Sequence, residues 1–173
     1  MRNLLVVVDM QNDFIDGALG TKEAVAIVDN VIAEIAKYDT KDIFATRDTH
    51  PENYLETQEG KNLPVVHCVK GTDGWQINEK VKTALKDAVV IDKPTFGSKI
   101  LAEEIAKIAE KDEITVTLIG LCTDICVVSN ALLIKAYLPE VPVKVIASCC
   151  AGVTPESHEA ALTTMKMCQV QVE

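Results

Sequence analysis

Residues 115–133 read TVTLIGLCTDICVVSNALL, and the order of residue types within them decides the architecture. The β-branched and apolar run at 115–119 has the composition of a buried strand. Gly120 supplies a tight turn, and from about Asp124 the apolar residues Val127, Val128, Ala131, Leu132 and Leu133 predict a helix with almost no polar face in its first half. Strand, turn and helix in that order place Cys126 in or beside the first helical turn. Unpaired backbone N–H groups and the helix dipole favour negative charge there. A thiol in that field is expected to ionise more readily than a free one and to act as a nucleophile. The competing reading is a small structural core residue.

The same alternation extends in both directions. Residues 4–8 (LLVVV) form a first predicted strand, closed by Asp9. A helix follows with Val25, Val28, Ile32 and Ile35 at helical spacing, then a strand at 43–46. Residues 47–75 are polar and rich in glycine and proline, which predicts a long loop of the kind that carries function. Beyond it come a helix at about 76–86, a strand at 89–91, and a helix with Ile100, Leu101, Ile105 and Ile108. After the quoted segment, a strand at 143–147, a helix at about 155–167 opened by Pro155, and a last strand within 169–172 complete the pattern. Repeated strand–helix units predict an α/β fold with three α/β/α layers around a six-stranded, mostly parallel sheet. Residues 1–173 are read as a single domain.

Composition narrows the function. The formal charge of −9 argues against a nucleic-acid surface, and with only Arg2 and Arg47 present, paired-arginine recognition of phosphate is not expected. No arginine follows Cys126 to cradle a phosphate, which disfavours a cysteine phosphatase. No export signal or membrane-length apolar stretch is apparent, so the six cysteines are read as reduced thiols and the cytoplasm as the expected compartment. The apolar stretches at 133–138 and 141–146 read as core or as a subunit interface.

Open sheets of this type bind ligands beyond the carboxyl ends of their strands. Asp9, Asp48, Lys93 and Cys126 all fall just past predicted strand ends. Asp9 follows an apolar run, and a buried carboxylate needs a partner; a turn-forming aspartate is the alternative. Lys93 is either that partner, able to favour a thiolate, or a solvated surface lysine. Asp48 and His50, two apart in an extended segment, can face one side, and His67 lies on the same loop. One carboxylate and two imidazoles suit zinc, manganese or iron; a loop histidine satisfied by hydrogen bonds is the alternative for His67. Cys122, in the strand-to-helix turn, matters more for its backbone N–H than for its sulfur. His158 reads as a surface or capping residue.

In this order, LLVVVDMQNDF, ATRDTHPEN, VVHCVKGTDGWQI, DKPTFGS, GLCTDICV and ASCCAGVTPESHEAAL resemble the isochorismatase-like cysteine hydrolases, nearest to their nicotinamidase-related amidase branch. The resemblance spans almost the whole chain and implies a Rossmann-like three-layer fold. It implies a catalytic triad of Asp9, Lys93 and Cys126, a non-proline cis peptide at Leu121–Cys122, and an oxyanion hole from the N–H groups of Cys122 and Cys126. It also implies a divalent metal, most simply zinc, on Asp48, His50 and His67, with homo-oligomers common among relatives. The chain departs from many nicotinamidases in two places. No aromatic residue stands near Leu63-Pro64, and Tyr54 occupies the place of a further histidine. Phe14, Phe96 and Leu121 are the candidate walls of a substrate pocket, with ordinary core packing the alternative for the two phenylalanines. The expected activity is hydrolysis of a small, nicotinamide-like amide through a thioester. The alternatives are an isochorismatase-type vinyl ether hydrolase and a non-catalytic metal- or ligand-binding module.

Overall fold

The computed structural model describes residues 1–173. Its six strands are β1 (Arg2–Val8), β2 (Ile43–Asp48), β3 (Val89–Lys93), β4 (Ile114–Leu121), β5 (Val143–Ala151) and β6 (Gln171–Val172). The helices are α1 (Asn12–Ile15), α2 (Lys22–Ala26), α3 (Val28–Ile35), α4 (Gln58–Asn62), α5 (Glu79–Leu85), α6 (Lys99–Ala109), α7 (Val128–Tyr137) and α8 (Pro155–Met167). The strands form one sheet in the order β3-β2-β1-β4-β5-β6, and every pair is parallel. No helix is long and apolar enough to cross a membrane.

Central β1 is apolar throughout because both its faces are covered. Leu5 and Val7 pack with Val31 and Ile35 of α3 and with Val81 and Leu85 of α5. Leu4, Val6 and Val8 pack with Leu101 and Ile105 of α6, Ile134 of α7 and Leu162 of α8. The two apolar clusters lie on opposite faces of one sheet, which is the anticipated three-layer arrangement.

Local chemistry explains where the elements differ from their sequence reading. The first long helix is two helices, α2 and α3, with Thr21 capping α2 by accepting from the Ala24 N–H. Val25 is consequently exposed, while Val28 and Ile35 reach the core. α5 starts at Glu79 because the Asn78 side chain accepts from the Lys80 N–H. β3 continues to Lys93, paired with Asp48 at the end of β2. The segment expected as a plain loop contains a 3₁₀ turn at Tyr54–Glu56 and then α4.

Gly120 sits in β4 with φ +114°, opposite Val8, and an added Cβ would lie 2.1 Å from the Val8 carbonyl oxygen. Both the left-handed backbone and the close approach demand glycine. Gly120→Ala should therefore cost roughly 3 kcal/mol or more of folding stability. Urea denaturation measures it, and a loss under about 1 kcal/mol would contradict the packing argument.

Candidate active site

The strand order reverses direction between β1 and β4, so the crevice beyond their carboxyl ends is where this topology opens a binding site. Asp9 immediately follows β1 with φ +46°, a left-handed conformation that aspartate tolerates better than most residues. Cys126 lies in a π-helical turn, Thr123–Val127, that joins β4 to α7. Lys93 ends β3, which is separated from β1 by β2 and thus by two strand spacings of about 4.8 Å. A side chain as long as lysine is needed to cross that gap.

These residues meet. Lys93 Nζ lies 2.7 Å from Asp9 Oδ2, 3.4 Å from Cys126 Sγ and 3.6 Å from Asp48 Oδ1. It also donates to the Thr95 carbonyl at 3.2 Å. Lys93 is only 1% exposed, and Asp9 and Cys126 are buried with it. The alternatives of a solvated lysine and a turn-forming aspartate do not describe this geometry.

Burial sets the charge states. It would push the Lys93 ammonium toward neutrality, but the neighbouring carboxylates, Asp9 foremost and then Asp48, hold the cation above its ordinary pKa. Burial also raises the Asp9 carboxyl against the opposing pull of Lys93. The Cys126 thiol is pushed well above its usual value, first by burial and then by Asp9, despite Lys93. This corrects the expectation of a thiol that ionises readily at a helix N-terminus: the resting sulfur keeps its proton. The arrangement pairs a protonated thiol with an unusually basic carboxylate, which suits proton transfer between them at the moment of attack. Half-buried Cys122 is pushed up to about 12 by burial and by Asp124.

Three residues that the sequence reading did not single out hold the cluster in place. Thr46 donates its hydroxyl to Asp9 Oδ1 at 2.6 Å. The Gln11 side chain donates to the carbonyls of Asp48 and Trp75 and accepts from the Asp48 N–H, joining the ends of β1 and β2. Buried Asn130 donates to the Cys126 and Phe96 carbonyls and accepts from the Ser98 N–H. It thereby clasps the cysteine-bearing helix to the loop after Lys93. A lone amide in the apolar run VVSNALL was its visible signal. His158 is half-buried, and its Nδ1 lies 2.8 Å from the Thr123 hydroxyl, tying α8 to the Cys126 turn.

Beside Asp9, Lys93 and Cys126, the residues Asp48, His50, Glu59 and His67 present ligand atoms within 4.8 Å of one another. His50 Nε2 is 2.9 Å from Asp48 Oδ2, and His67 Nε2 is 3.7 Å from the same oxygen. Glu59 Oε1 lies 3.6 Å from His50 Nε2 and 3.8 Å from His67 Nε2. His67 Nδ1 sits 2.8 Å from the Val65 carbonyl, which fixes the proton there and frees Nε2 as a ligand. Two imidazoles and two carboxylates converging on one point fit a divalent cation. Glu59 was not anticipated, because its presentation depends on α4. Tyr54 packs edge-on against both imidazoles, with ring centroids 4.7 and 5.0 Å away.

A cavity of about 690 Å³ opens above the sulfur, lined by Phe14, Phe96 and Leu121 as well as Asp48, His67, Cys122 and Cys126. Phe14 is buried against His67, Leu121 is fully buried, and Phe96 stands at the rim. The Leu121–Cys122 peptide is cis.

Comparisons with known proteins agree with this fold. The isochorismatase domain model matches residues 3–173. The nicotinamidase/pyrazinamidase of Mycobacterium tuberculosis is 25% identical over 97% of this chain and 96% of its own. The pyrazinamidase of Pyrococcus horikoshii, solved in complex with zinc, superposes with a TM-score of 0.82 at 31% identity, covering 100% of this chain and 99% of that one. The N-carbamoylsarcosine amidase of Thermoplasma acidophilum superposes with a TM-score of 0.76 at 25% identity, covering 100% and 96%. With matched residues running almost end to end, the chain belongs to the isochorismatase family, on its nicotinamidase-related branch.

Proposed function

We propose that the chain is a cysteine amidohydrolase that cleaves a nicotinamide-like primary carboxamide and releases ammonia. The observation that carries this reading is that Lys93 Nζ joins buried Asp9 to Cys126 Sγ, and that Cys126 lines the cavity. Asp9 takes the thiol proton as Cys126 attacks the carbonyl carbon. The backbone N–H groups of Cys122 and Cys126 receive the developing oxyanion. As the C–N bond breaks, Asp9 returns the proton to nitrogen, ammonia leaves, and a thioester remains on Cys126. Water then attacks the thioester, passing a proton to Asp9, which restores it to the departing sulfur as the carboxylic acid leaves. Lys93 stays cationic throughout and keeps Asp9 aimed.

Asp48, His50, Glu59 and His67 would hold a divalent cation, for which zinc suits the mixed nitrogen and oxygen donors, with manganese and iron as near alternatives. Such an ion supplies Lewis acidity at one end of the cavity. A vinyl ether hydrolase has no use for a sulfur in this position, and a binding module has no use for a buried lysine shared by a carboxylate and a thiol.

Ammonia release from nicotinamide, pyrazinamide and benzamide tests the reading, with and without prior chelation. At least one amide should be hydrolysed, chelation should lower the rate by about 10-fold or more, and zinc, manganese or iron should restore it. Absence of ammonia from every amide, with any of the three metals, would overturn the assignment.

A further inference from the structure

The cavity differs between its two ends. Asp48, Glu59 and His67 lie at the metal-binding end, while the remaining wall is built largely from Phe14, Leu19, Leu63, Phe96, Ile125 and Val153. No lysine or arginine lines it. Its volume of about 690 Å³ is within the roughly 300–1,000 Å³ that encloses drug-sized ligands, beyond the needs of a single-ring amide. At the rim, Leu63, Phe96 and Val153 are 39%, 45% and 53% exposed. They come from three separate segments, after α4, β3 and β5.

We infer that the site selects amides whose acyl body is uncharged, apolar and larger than one ring, such as bicyclic aryl or branched alkyl carboxamides, and turns away those carrying a carboxylate on that body. The inference rests on the amidase reading for its chemistry and on the cavity wall for its selectivity. An apolar body is favoured in proportion to the area it removes from water, and a large cavity rewards a large body. A carboxylate drawn into this wall loses its hydration and meets no cationic side chain in exchange.

The test compares 2-naphthamide, 4-methylbenzamide and 4-carboxybenzamide as substrates of the metal-loaded enzyme. In parallel, calorimetry measures binding of the same three compounds to the Cys126→Ala protein. Expected are a kcat/KM at least 10-fold higher for 2-naphthamide than for 4-methylbenzamide and at least 10-fold lower for 4-carboxybenzamide, with the same order in affinity. Leu63→Arg, which places a cation at the rim, should narrow the gap between the methyl and carboxy compounds by about 10-fold. Hydrolysis of 4-carboxybenzamide as fast as the others would overturn the selectivity and leave the amidase reading standing. Ordered binding without ammonia release would sink the amidase reading and leave the selectivity standing. Equal affinities would refute the selectivity whatever the enzyme hydrolyses.

Discussion

Cys126→Ala should lower ammonia release by at least about 10⁴-fold while leaving the unfolding transition nearly unchanged. The large effect follows because Lys93 and Asp9 have no other sulfur to serve: Lys93 Nζ is 3.4 Å from Cys126 Sγ. Cys122, the nearest rival in sequence, lies across the turn with its thiol pushed up to about 12 and makes no contact of that kind. The small structural cost follows because truncating a buried thiol removes one atom beside an existing cavity, a loss of about 1 kcal/mol. Cys126→Ser keeps the shape but offers a hydroxyl that this carboxylate cannot readily ionise, so it should be nearly as inactive. Substantial turnover by either folded variant would remove Cys126 from the mechanism.

Lys93→Met should cost both activity and stability. The ammonium is the cation nearest Asp9, and removing it leaves a buried carboxylate with the Thr46 hydroxyl but no counter-charge, a loss of about 3–5 kcal/mol. Activity should fall by at least about 10³-fold as Asp9 loses its alignment. The pH dependence has a definite sign. Without the lysine, the folded-state pKa of Asp9 rises further above the unfolded value of about 3.9, so the native state binds the extra proton. The variant should therefore be most stable below about pH 4 and lose stability as pH climbs toward the displaced pKa. Asp9→Asn combined with Lys93→Met removes both charges and should recover at least half of the lost stability without recovering turnover. Denaturant unfolding across pH measures each quantity. A Lys93→Met protein within about 1 kcal/mol of the parent at pH 7 would refute the electrostatic account.

Much of this arrangement was legible in the residues. Apolar runs closed by Asp9, Asp48 and Lys93 announce buried strands ending at one sheet edge, and strand–turn–helix chemistry at 115–133 locates the sulfur. What escaped the sequence depends on distant partners. Glu59 reaches the metal-binding cluster only because a short helix turns inside a segment that looks irregular. Thr46, Gln11 and Asn130 are ordinary polar residues until neighbouring strands and loops supply the groups they bond. The resting state of Cys126 was misjudged because local position favours the anion, whereas burial and a nearby carboxylate, both products of tertiary packing, outweigh it.

β1 and β4 are joined residue by residue from Arg2–Ile114 to Val8–Gly120, and their adjoining tips carry the acid and the turn that presents the sulfur. The rim residues Leu63, Phe96 and Val153 lie outside that pairing, and Phe96 and Val153 meet the cysteine-bearing segment through their backbone groups, which leaves their side chains free to vary. Inheritance can therefore retune what such a molecule admits, one mouth residue at a time, without disturbing how it cuts.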